Sequence, residues 1–179
     1  MTWKCNRWTV IVVALFITVA VLVGGQLLWN NYGVKKPLDK SLQIIPGIEA
    51  VTWAETGKNT DSLVITVTLG KVSDLQQTYK QIVETSKQVL GRRPFTINLK
   101  DHRSPELEAL YYDSHYYVQE AIVTGKFTSM AEAIKARAAD SEVEEKVYVD
   151  DKYVYIGLSK GQSALYAVVN RSGASQEVK

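Results

Sequence analysis

Asp101, His102 and Ser104 put a carboxylate, an imidazole and a hydroxyl within four residues, the three groups that a hydrolase combines for nucleophilic attack. Those roles require side chains that converge on one point, and neighbouring loop residues rarely do so. Ser104 directly before Pro105 is also the pattern of a helix start, with the hydroxyl as N-cap and proline in the first turn. The chain has no Gly-x-Ser-x-Gly elbow. The capping role is therefore the expectation, and no residue is assigned as catalytic.

Metal and phosphate chemistry have less support. His102 and His115 are the only histidines, and His115 with Asp113 and Glu120 lacks His-Glu-x-x-His spacing. Gly24-Gly25, Gly57, Gly70 and Gly91 form no phosphate-cradling motif. Glu106 and Glu108, two apart, point to different faces of a helix and make no close acid–base pair. Cys5 is the single thiol, which excludes an intramolecular disulfide. No metal site and no cofactor are expected.

The least ordinary group is Tyr111, Tyr112, Tyr116 and Tyr117 around His115. Tyr112 and Tyr116, four apart, share one face of a helix, whereas Tyr111 belongs with the apolar stripe. The plain expectation is that these rings pack on the sheet or on the next helix with their hydroxyls reaching water. The functional alternative is an aromatic recognition surface of Tyr112, His115 and Tyr116, which Tyr148, Tyr153, Tyr155 and Tyr166 extend if they face the same way.

The elements that position these residues begin with an uncharged run from Trp8 to Trp29. As a helix it measures roughly 33 Å, enough for a hydrocarbon core of about 30 Å, and Trp8 and Trp29 suit its two interfaces. It is too long for a cleaved signal peptide and reads as a single-pass signal anchor contacting the bilayer. Lys4 and Arg7 precede it and Lys35, Lys36 and Lys40 follow it. Arg7 flanks the run most tightly, so the C-terminal part is expected to be extracytoplasmic.

The division that follows is a tail over 1–7, the transmembrane anchor over 8–29, a linker over 30–40, a globular domain over 41–170 and a C-terminal tail over 171–179. Of the 21 Lys and Arg, removing Lys4 and Arg7 leaves 19, matched by 19 Asp and Glu. A domain without excess positive charge is poorly suited to nucleic acid, and Arg92, Arg93, Lys100 and Arg103 read as a solvated surface. No repeat divides it.

Within the domain, 48–54 and 62–69 read as a hairpin. Ser73, with Gln76 at capping-box spacing, opens a helix closed by Gly91. A strand follows over 94–99, a helix from Ser104 to Gly125, and a helix from about Ser129 with Met130, Ala133, Ile134 and Ala138 inward. Asp140 to Glu145 reads as an exposed connector, and 147–149, 153–158 and 165–169 as a three-stranded meander. The fold class is α+β in ββαβααβββ order, with about three helices on one face of a mostly antiparallel sheet. In element order alone, its first ββαβ portion resembles small assembly domains of envelope and secretion rings, and no family is assigned from that.

The functional expectation is a membrane-anchored, non-enzymatic domain that binds an envelope protein or polymer, with no nucleic-acid partner. A tethered small-ligand or sensor domain is the alternative, and an envelope hydrolase is third. Nothing in the sequence specifies an oligomeric state.

Overall fold

The structure, a computed structural model, describes residues 7–29, 36–55 and 62–172. Helix α1 covers Arg7–Trp29, and its side chains are described from Ile11 to Leu22. Ile11, Leu15, Phe16 and Leu22 are exposed.

Among the described residues, no helix is long and apolar enough to cross a membrane. The expected transmembrane segment over 8–29, and with it the single-pass signal anchor, is corrected accordingly. The side chains of Trp8 and Trp29, its expected ends, lie outside those described.

Helix α2 (Lys36–Gln43) begins within the expected linker over 30–40 and runs on into the domain. Leu38 and Leu42, four apart and fully buried, fasten it to the core, and Pro37 sits in its first turn where a missing N–H costs little. Strands β1 (Ile48–Glu55) and β2 (Leu63–Leu69) then pair antiparallel, as the hairpin pattern predicts. Along β2, Leu63, Ile65, Val67 and Leu69 are buried while Val64, Thr66 and Thr68 are half-buried, a period of two.

Helix α3 (Leu75–Leu90) has its cap one residue later than expected. Asp74, not Ser73, is the N-cap, and its carboxylate accepts from Gln77 N at 2.9 Å. At the far end Gly91 takes φ 61° and returns its N–H to Lys87 O, as the helix-stop pattern predicts. The crossover through α3 brings β3 (Phe95–Lys100) parallel to β2, giving a first sheet ordered β1-β2-β3.

Helix α4 (Pro105–Thr124) has the expected Ser104 cap and a left-handed Gly125 stop, whereas α5 (Phe127–Asp140) begins after Lys126 without a side-chain cap. Strands β4 (Glu144–Val149), β5 (Tyr153–Lys160) and β6 (Ser163–Asn170) form the antiparallel meander. The connector expected over 140–145 is shorter, because β4 begins at Glu144 and Val143 is buried.

The expected single sheet is therefore two three-stranded sheets, with five helices among the described residues. The second sheet is covered on both faces. Tyr155, Ala164 and Tyr166 join a core with the first sheet, α2 and α3. Val154, Ile156, Leu158 and Leu165 join another with α4 and α5. Alternate residues of a strand point to opposite faces, so one strand supplies both cores. The sheets are linked where Ala164 N donates to His102 O at 3.0 Å and Tyr166 N donates to Asp101 Oδ2 at 2.8 Å.

Candidate functional site

The buried stripe of α4 is Leu107, Leu110, Ser114, Val118 and Ala121. At about 100° per residue, Tyr112, Tyr116, Gln119 and Val123 fall on the opposite side, with His115 and Glu120 flanking them. Tyr112 is 65% exposed, Tyr116 63% and Val123 85%. The plain expectation that this face packs on the sheet or on α5 is thus not met by Tyr112 and Tyr116. Tyr111 and Tyr117, half-buried, do pack against the α4–α5 core.

The exposed rings hold one another in place. Tyr112 and Tyr116 meet edge to face with centroids 5.9 Å apart at 84°, and their hydroxyls are 3.3 Å apart. His115 adds a third ring, 6.0 Å from Tyr116. The Tyr116 hydroxyl is held above its ordinary pKa, first by its hydrogen bond with Tyr112, then by desolvation and by Asp113.

Helix α4 carries Glu106, Glu108, Asp113 and Glu120 and no lysine or arginine. Glu106 pairs with Lys160 at 2.6 Å, Glu108 lies 3.8 Å from Arg103, and Asp113 pairs with Arg137 at 3.3 Å. Among the described residues Glu120 has no such cation. The ridge therefore presents aromatic surface with an uncompensated carboxylate at its edge.

Asp101, His102 and Ser104 take separate partners. Asp101 has a buried side chain whose oxygens accept from Arg103 Nε at 2.6 Å, Arg103 Nη2 at 2.9 Å and Tyr166 N. His102 Nε2 lies 2.7 Å from Glu49 Oε2 at the surface. Ser104 Oγ accepts from Leu107 N at 3.3 Å, the capping bond. Among the described residues, no group of three or more His, Cys, Asp or Glu could hold a metal ion.

Tyr148, Tyr153, Tyr155 and Tyr166 do not extend the α4 surface. All four belong to the core on the far side of the second sheet. There Tyr79, Tyr153 and Tyr155 form an edge-to-face trio with centroids 5.5 to 6.0 Å apart. A cleft of about 380 Å³ lies between α3 and the β4–β5 turn, with the trio in its wall.

Asp150 builds that turn. Its Oδ1 accepts from Lys152 N and Tyr153 N, each at 2.9 Å, and its Oδ2 accepts from Tyr155 Oη at 2.9 Å and pairs with Lys80 Nζ at 3.2 Å. Burial pushes the carboxyl upward, but these donors outweigh it and hold the pKa at about 2. Burial, followed by the Asp150 hydrogen bond and charge, raises the Tyr155 phenol above its ordinary value. This cleft was missed in the sequence. Its signal was Asp150-Asp151 before Tyr153 and Tyr155, two rings on one face, but nothing local places them beside Tyr79 of α3.

Compared with protein-family models, with curated proteins and with solved structures, the chain has no significant match.

Proposed function

We propose that this protein is a non-enzymatic interaction module whose α4 ridge docks a basic segment of a partner protein. The observation that carries the reading is the exposure of Tyr112 and Tyr116 side by side, directly opposite the stripe that holds α4 in place. Burying two large rings against solvent would be favourable for folding, so leaving both out is informative. Tyrosine is a preferred interface anchor because it offers a broad, stiff contact area. Glu120 at the edge, the one α4 carboxylate without a paired cation among the described residues, favours a cationic partner, whose arginines and lysines can also sit over tyrosine rings.

The reading is tested with a photo-crosslinking residue at Gln119 of the full-length protein in its native cells. The expected adduct is to a Lys/Arg-rich segment of one protein and is lost in the Tyr112→Ala/Tyr116→Ala variant. An adduct at an acidic or apolar segment, or one that survives the double substitution, overturns it.

A further inference from the structure

The cleft between α3 and the β4–β5 turn faces away from the α4 ridge and is independent of the reading above. Its volume of about 380 Å³ lies within the roughly 300–1,000 Å³ typical of small-molecule sites. Tyr79 and Tyr155 are buried in its wall, and Tyr153 is half-buried beside them. The Tyr79 hydroxyl is buried beside Tyr153.

The rim has a distinctive charge pattern. Lys80, Lys87 and Lys152 share it with Glu84, Asp150 and Asp151, three of each sign. Asp150 is already engaged with Lys80, Tyr155 and its own turn, which makes it scaffold. Glu84, Lys87, Asp151 and Lys152 remain exposed around the opening.

We propose that this cleft binds a neutral saccharide of one or two rings, with a sugar C–H face against Tyr153 and its hydroxyls at Lys87, Lys152, Glu84 and Asp151. A charged ligand would meet as many like charges as unlike ones. A wholly apolar ligand would strip water from these side chains and return no hydrogen bonds. Sugar hydroxyls both donate and accept, so they serve ammonium and carboxylate groups alike. The turn that presents Tyr153 is already braced by Asp150, so little ordering remains for the ligand to impose.

The test is titration of isotope-labelled full-length protein with cellobiose, lactose and N,N′-diacetylchitobiose, with phenyl phosphate and benzamidine as charged ring probes. Backbone amide shifts at Glu84, Lys87, Lys152 and Tyr153 are the readout. At least one disaccharide is expected to give saturable shifts there, and neither charged probe is. Lys87→Ala, at an exposed position, and Tyr153→Leu, which keeps apolar bulk, are each expected to weaken binding about tenfold with melting temperature retained. No saturable shift with any disaccharide overturns the proposal. So does saturable binding of a charged probe at these amides, or saccharide binding that neither substitution weakens.

Discussion

The Tyr155 hydroxyl donates to Asp150 Oδ2 at 2.9 Å, so a buried ring of β5 grips the carboxylate that shapes the turn before it. The Asp150 pKa is lowered from 3.8 to about 2, which makes the ionised form the one the fold favours. Its contribution to stability is present above about pH 3.8 and is lost as pH falls toward 2. Asp150→Asn should lower the melting temperature at neutral pH and flatten its fall across that acid window. Thermal melts of both proteins from pH 6 to pH 2 check this, and parallel curves would refute it.

Ile82 of α3 is fully buried in the core that includes the first sheet. Ile82→Ala should cost about 2–5 kcal/mol by urea denaturation, since deleted methyl groups leave a cavity that packed neighbours fill only in part. Lys135→Ala, at an exposed site on α5, should stay within about 0.5 kcal/mol.

The cap of α3 is assigned to one of two adjacent residues. Asp74→Ala should cost about 1 kcal/mol because it removes the acceptor for Gln77 N, and Ser73→Ala should cost a few tenths at most. Equal losses at both positions would show that the two share the role.

The α4 ridge separates binding from folding. Tyr112→Ala/Tyr116→Ala should leave unfolding free energy within about 1 kcal/mol, because the rings touch chiefly each other and His115. Affinity for the basic partner should drop about tenfold or more. Added salt should weaken the wild-type complex as well, which separates a charge-guided contact from a purely apolar one.

Local periodicity made most elements legible, including the α3 and α4 stripes, the Ser104 cap and the terminal meander. It did not show which strands pair. The parallel β2–β3 pairing depends on α3 crossing over between them, and the division into two sheets depends on where α4 and α5 dock. Helix α2 is obscured in the sequence because Lys36, Pro37, Asp39 and Lys40 dominate its composition, although Leu38, Leu42 and Ile45 carry helical spacing. In β5 the consecutive buried residues Val154, Tyr155 and Ile156 were the sign of a strand covered on both sides. Of the candidate site, the four-residue spacing of Tyr112 and Tyr116 was readable, but their exposure was not, since it depends on which side of α4 meets the second sheet.

Strand β5 lies at the centre of the second sheet and belongs to both cores, Tyr155 to one and Val154, Ile156 and Leu158 to the other. Neither half can melt and leave it intact. The hydrophobic interior is in two pieces, yet loss of either should expose the same strand, so the two should denature together in a single cooperative step. The β5 amides should accordingly exchange with solvent deuterium only through global opening, and a residue change in one half should be felt in the exchange rates of the other.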